Sequence, residues 1–445
     1  MKQQTLTLVA KVSDGAKLRA VLGEIARTRV LVGIKEQPAF FADPKLGIHF
    51  ARLVHIPSEG PFDAWLALES NFDSDSVDPD RAREVHIDDL VRSQPEIMRA
   101  LFACCEGFPK DASLGALTAY CKRCSVEATV TYEGHAYRSL ARIRLEQHVR
   151  DVVLDFVGSR ATKPPLEFFG DIRDHVRIQA RNDPRLKDLN VDEAPPSSPD
   201  PHVRTAKLAA AKLAAGRLVW VERGLTEPKV ISTGIGNIPS ILKWNMQDDG
   251  YDASDEQQRW TPVDRESFSD LAATEDHGLQ NALTHVVPVK PGIDREAVLR
   301  QTHALINRMS HEHFADIGCL GGIPTIHFAK WLLIDGGKRL LFFSNYDHSW
   351  ESYLGDFVDE AAPGLNLAWS CTEKYPKTTW LYKGGAEDEE AFKAWGRKYQ
   401  RPTQVFYSAY PDLSISAINN NTWIRYGLHY EPGTIDLESW FRRLT

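Results

Sequence analysis

The stretch SNYDHSW places Asn345, Asp347 and His348 within four positions, at the end of a β-rich apolar segment. An imidazole there can ligate a metal ion or a heme iron, or move protons near neutral pH. The carboxylate beside it can orient the ring or serve as the acid or base. An earlier stretch, SNFDS, carries Asn71 and Asp73 in the same places but ends on Ser74. Upstream of each lies a second shared signature: IHFAR holds His49 and Arg52, and IHFAK holds His327 and Lys330. A further difference between the two stretches is His285, which stands where the first has Leu8. A single active site needs one of two copies, so His285 and His348 are the candidate metal or cofactor ligands. Residues kept in both copies have an architectural reading as well. Asn and Asp after a strand bond the turn backbone, and a strand histidine satisfies a buried carbonyl.

These matches belong to a longer duplication. LTLVAKV from Leu6 aligns with LTHVVPV from Leu283, CCEGFPK from Cys104 with CTEKYPK from Cys371, and AYCKRCSVEATVTYEGHAY from Ala119 with AWGRKYQRPTQVFYSAYPD from Ala394. Within a copy the expected order is a strand over 5–12, a helix over 16–29, a hairpin of strands over 48–56 and 66–71 turned by PSEGP, a helix over 87–104, a helix over 114–123 and a strand over 127–132. That is β-α-β-β-α with a closing strand, the split βαβ pattern of a ferredoxin-like unit. The expected division is one repeat over 1–143, a helical and partly disordered insertion over 144–280, and a second repeat over 281–445. In the insertion, SLARIRLEQHVRDVVLDFVG has a broad apolar stripe and predicts a packed helix. NDPRLKDLNVDEAPPSSPDPH predicts a loop, and AKLAAAKLAAGRL a helix.

Composition narrows the chemistry. The chain has 445 residues, 42% hydrophobic and 26% charged, with a net charge of -8. There is no basic footprint for phosphate neutralisation, so nucleic acid is not expected as a partner. No run is long and apolar enough for a membrane span, and attachment to a membrane surface is not expected. Six cysteines are too few for a disulfide scaffold, which fits a reducing compartment and a cytoplasmic location. CKRC at Cys121 and Cys124, with Cys104 and Cys105 upstream, leaves a four-thiolate zinc site conceivable. The pair His311 and His313 is a weak metal signal, because residues two apart diverge on a helix. GIGNIPS at Gly234 lacks the third glycine and the lysine of a phosphate loop. No HExxH or nucleophile-elbow motif is present.

Two fused ferredoxin-like units, each covering the open sheet of the other, resemble the dimeric α+β barrel superfamily, which includes dye-decolorising peroxidases and chlorite dismutases. The resemblance lies in element order and duplication, and the GxxDG motif of dye-decolorising peroxidases is absent. It implies an α+β fold and a heme-dependent, peroxidase-like oxidoreductase acting on a small molecule. His348 or His285 is then the axial ligand, with His327 and His49 as further cofactor contacts. Asp347, Asn345, Asp73 and Arg52 become the catalytic groups, with an Asp–Arg pair handling the proton and the developing oxyanion. The alternatives are a non-catalytic module that holds an apolar ligand or assembles with partners, including copies of itself, and a cofactor-free monooxygenase on an apolar substrate.

Overall fold

A computed structural model describes residues 2–158, 165–189, 271, 275–311 and 320–444, apart from short breaks at 112, 137, 277, 292, 380, 382 and 431–434. The first half runs β1 (Lys2–Lys11), α1 (Gly15–Arg27), a hairpin of β2 (Arg29–Val32) and β3 (Lys35–Pro38), β4 (Ile48–Ile56), β5 (Trp65–Ser74), α2 (Pro79–Ser93), α3 (Pro95–Phe102), α4 (Leu114–Arg123), β6 (Val130–Glu133), α5 (Leu140–Gly158) and α6 (Pro165–Asn182). The second runs β7 (Gln280–Pro288), α7 (Ile293–Met309), β8 (Ile326–Ile334), β9 (Arg339–Asp347), α8 (Trp350–Trp369), the short β10 (Thr378–Thr379) and β11 (Lys383–Gly384), α9 (Glu389–Tyr399), β12 (Val405–Ser408), α10 (Ile415–Gly427) and α11 (Leu437–Phe441). The fold is mixed α+β with antiparallel sheets. No helix among the described residues is long and apolar enough to cross a membrane.

Two four-stranded sheets repeat one order, β1-β5-β4-β12 and β7-β9-β8-β6, and each takes its last strand from the other half. The expected reading closes each unit with its own final strand; the chain instead divides that job. Residues 124–126 run beside β1, with Val9 N–H donating to Cys124 O and Val126 N–H to Thr7 O, and the chain then crosses to pair Val130–Glu133 with β8. In the second half Arg401 N–H donates to Thr284 O, and Val405–Ser408 pair with β4. The exchange places a strand of the opposite half at one edge of each sheet and a short backbone segment beside the other edge strand, β1 or β7, which shortens the open ladder there.

Alternation along the strands builds the layers. Val9, Val54, Ile56, Ala67, Val286, Leu332, Ile334, Leu341 and Phe343 pack between the sheets. The opposite faces bury Leu6, Leu8, Leu53 and Leu68 under the helices of the first half, and Leu283, Trp331, Phe342 and Leu340 under those of the second. Two local outcomes differ from expectation. The helix expected over 87–104 is two helices broken at Gln94, because Pro95 starts a new one and disfavours helical backbone before it. The hairpin β2–β3 lies where the sequence predicts no strand. The packed helix predicted from SLARIRLEQHVRDVVLDFVG is α5, which begins at Leu140. AKLAAAKLAAGRL, DEAPPSSPDP and GIGNIPS lie outside the described residues.

Candidate functional site: a buried polar junction between the halves

Each histidine of the duplicated signature sits on a β-bulge. Ile48 pairs with Phe72 and Phe50 with Asn71, so His49 is the extra residue; Ile326, Phe328 and His327 repeat this against Tyr346 and Asn345. A bulge re-aims its side chain, and here both imidazoles turn toward the carboxylate that ends the neighbouring strand. His49 Nε2 lies 3.0 Å from Asp73 Oδ1, and His327 Nε2 lies 2.8 Å from Asp347 Oδ1. The second oxygen of each carboxylate accepts the first backbone N–H of a helix, Leu140 of α5 at 2.7 Å and Ile415 of α10 at 2.8 Å. A carboxylate at a helix N-terminus fills an otherwise orphaned donor and meets the positive end of the helix dipole.

Between the two histidines stand His135 and Tyr410, which occupy equivalent places after the exchanged strands. The hydrogen bonds fix their protons. Gln3 Nε2 donates to Arg138 O at 2.8 Å, so the nitrogen of that amide faces His135 Nδ1 at 3.0 Å and Nδ1 must accept. His135 therefore carries its hydrogen on Nε2 and donates to Tyr410 Oη at 3.0 Å. Tyr410 O–H in turn donates to His49 Nδ1 at 3.0 Å, and His49 Nε2–H to Asp73. Burial, with His327, His49 and Arg138 nearby, pushes the His135 pKa well below the ordinary imidazole value, in keeping with a neutral ring. His327 Nδ1 is buried and finds no hydrogen-bond partner among the described residues.

Next to this junction is a layer of buried charge between the sheets. All five N–H groups of Arg52 are directed: Nε to Glu69 Oε2 at 2.9 Å, Nη1 to Leu283 O at 2.8 Å and Thr284 Oγ1 at 3.4 Å, Nη2 to Ser344 O at 2.9 Å and to Asn345 Oδ1. Lys330 reaches the other way, to Glu69 Oε1 at 3.0 Å, Leu6 O at 3.3 Å and Thr5 Oγ1. Asn71 Nδ2 donates to Glu69 Oε1 at 2.6 Å. Burial works to raise the Glu69 pKa, but Lys330 and Arg52 outweigh it and hold the carboxyl below its ordinary value. Burial lowers Lys330 to about 8 against the pull of Glu69.

The structure thus brings together His49, His327, Asp73 and Asp347, and sets Arg52 and Asn345 beside them. It does not bring in His285 or His348. His285 is opposite Phe342 in the β7–β9 ladder, five positions from the Gln280–Asp347 pair, a separation of about 17 Å at strand rise. Its ring lies under α9, 5.6 Å from Trp395 and 6.3 Å from Phe342. Burial, with Arg401 and Arg397, lowers it to about 3. His348 is exposed in a left-handed turn at φ 71°. Its backbone is used by the Leu279 carbonyl and the Asn281 amide. A heme ligand needs an imidazole nitrogen turned to an open apolar slot. His285 is walled in by indole and phenyl rings, His348 faces solvent, and Arg52 has no hydrogen left for a peroxide oxygen, so these side chains as packed do not fit a heme. Among the described residues no group of three or more His, Cys, Asp or Glu is placed to hold a metal ion. Burial raises the thiols of Cys105 and Cys121 to about 12 and Cys124 to about 11. His311 bonds Thr131 and the Asn307 carbonyl, and His313 lies outside the described residues.

Sequence reasoning passed over His135, Tyr410, Glu69 and Gln3. The signal for two of them was available, since GHAY aligns with AYPD and sets His135 against Tyr410. No family model matches the chain, and no curated protein or solved structure matches it either.

Proposed function

We propose that the chain is a non-catalytic binding and assembly module, built as two fused ferredoxin-like units in the manner of the dimeric α+β barrels. The observation that carries this reading is the use of the duplicated polar residues: both His–Asp pairs cap helices, and both Arg52 and Lys330 bond the leucine carbonyl at the same place in the opposite half. Side chains spent on joining the halves are not free for turnover. A surface fitted for contact is the hairpin β2–β3, where Leu31 is 71% and Ile34 76% exposed, beside a half-exposed Val30. Isolated exposed aliphatics are ordinary, whereas three on one short hairpin are typical of a contact surface.

The heme and monooxygenase readings compete with this one, and hemin titration followed by absorption separates them. The expected result is no histidine-dependent Soret band in the wild type and no difference in His285→Ala or His348→Ala. A Soret band that either substitution removes would replace the assembly reading with the peroxidase one. For the hairpin, sedimentation over a concentration series tests self-association. Leu31→Ser with Ile34→Ser is expected to lower any association seen in the wild type without changing the melting temperature.

A further inference from the structure

The bare nitrogen of His327 is best understood by comparing the two sides of the junction. On the first side His49 Nδ1 accepts from Tyr410. On the second, the residue in the place of Tyr410 is His135, and its Nε2–H is the donor that His327 Nδ1 lacks. That hydrogen is directed at Tyr410 Oη instead. Tyr410 Oη lies 3.0 Å from His135 Nε2, and the His327 ring has its centroid 5.6 Å from that of His135. Two imidazoles in a nitrogen-to-nitrogen hydrogen bond have centroids about this far apart, given donor–acceptor distances of about 3 Å. A buried acceptor without a donor is costly, so a second arrangement that fills it lies within reach of the first.

We infer that His135 is a two-position hydrogen-bond switch, donating from Nε2 to Tyr410 Oη in one position and to His327 Nδ1 in the other. The change is a rotation of one ring, and Gln3, a long flexible side chain whose Oε1 has no partner, can follow it. In the first position the donor chain runs Gln3, His135, Tyr410, His49, Asp73 and ends on the cap of α5. In the second it runs Gln3, His135, His327, Asp347 and ends on the cap of α10, while Tyr410 still serves His49. The switch therefore decides whether the His327–Asp347 pair is tied to His135, while the His49–Asp73 pair keeps its Tyr410 donor in both positions. Its two outputs are helices that pack on one another, with Glu146 of α5 bonded to Thr422 and Arg425 of α10. The charged groups facing the junction, Asp73, Asp347 and Arg138, keep their partners in both positions.

Imidazole nitrogen spectra of the full chain labelled in histidine test this at neutral pH. In the wild type, His135 and His327 are expected to share one microsecond-to-millisecond exchange process in relaxation dispersion, and His327 to be the Nε2–H tautomer. Tyr410→Phe removes the first acceptor, so the exchange should vanish and the His327 Nδ1 resonance should move to a hydrogen-bonded position. His327→Phe removes the second acceptor and should quench the exchange with His135 held on Tyr410. The His86 signals, away from the junction, report whether each variant is folded. The inference is overturned if wild-type His135 and His327 show no common exchange, or if a folded Tyr410→Phe protein leaves His327 Nδ1 unbonded.

Discussion

Glu69 and Phe343 hold the same place in the two halves, each opposite the cation of the preceding strand: Arg52 pairs with Glu69, and Lys330 with Phe343. The first half supplies a cation and an anion. The second supplies a cation and an aromatic ring, over which the Arg52 guanidinium lies at 5.0 Å from the centroid. One carboxylate thus serves two buried cations, and the symmetric plan survives with asymmetric chemistry. A second difference has the same form. Ser70 Oγ bonds His86 Nε2 at 2.9 Å with Phe72 stacked on that ring at 3.7 Å, whereas Ser344 Oγ bonds Tyr353 Oη at 2.6 Å with Tyr346 stacked at 3.9 Å. A polar ring hydrogen-bonded to serine and stacked on an aromatic is what both halves preserve; whether that ring titrates is free to differ. The two halves thus agree in shape and in hydrogen-bond count where they differ in residue type.

The largest expected effect concerns acid. Burial holds His86 and His285 to about 3, His303 to about 4, and His135 well below its ordinary value. These rings are neutral in the folded chain and take up protons when unfolded, so stability is full above about pH 6.5 and falls as pH drops below it. Each contributes about 1.4 kcal/mol per pH unit, and four together about 5 to 6. Against a total stability of about 5 to 15 kcal/mol, unfolding is expected near pH 5 in circular dichroism. His86→Tyr gives the first half the ring of the second and should reduce the acid slope by about one histidine's share. An unchanged slope in that variant means His86 is protonated in the native state.

Next in size is the shared anion. Glu69→Gln leaves Arg52 and Lys330 buried with no carboxylate, and a loss of about 3 to 5 kcal/mol is expected in urea unfolding. Lys330→Met leaves Arg52 and Glu69 as a matched pair and should change stability by about 1 kcal/mol or less. Equal losses in the two variants would mean that each cation needs Glu69 equally, contrary to the asymmetry. The caps provide the opposite test, because here the halves agree. Asp73→Asn and Asp347→Asn should each lose about 1 to 2 kcal/mol, the size of a cap plus a charged hydrogen bond. A large gap between them would show that one half carries the junction alone.

The duplicated residues were legible because identity at His49 and His327, Asp73 and Asp347 survives in the letters, and the hairpins because PSEGP and alternating apolar residues mark them. The exchange of β6 and β12 was not. A short strand such as VTYE carries the same alternation whichever sheet it joins, and the choice rests on backbone bonds with residues two hundred positions away. The centre of the junction was missed for a related reason. His135 and Tyr410 are equivalent in place and different in type, so no shared letter marks them, and His285 and His348 are the more conspicuous differences between the two stretches.

The smallest expected effect lies on the alkaline side and isolates the second half's cation. Lys330 is held at about 8, below its ordinary 10.5, because burial outweighs the attraction of Glu69. Between those values the unfolded chain binds a proton that the folded chain has released, so this group makes stability rise with pH. The rise is at most about 1.4 kcal/mol per unit. Across about pH 8 to 9.5 the buried thiols act the other way, since burial raises Cys105, Cys121 and Cys124 above the ordinary thiol value and the unfolded chain ionises them first. Burial raises Tyr353 and Tyr407 as well, and their unfolded-state ionisation near pH 10 adds to the fall. The lysine is therefore read as a difference: urea midpoints should fall less steeply across that window in the wild type than in Lys330→Met. Lys330→Arg keeps a charge that cannot be shed and should fall as Lys330→Met does, but at lower stability. If the wild type and Lys330→Met run parallel, Lys330 remains charged beside Glu69 throughout.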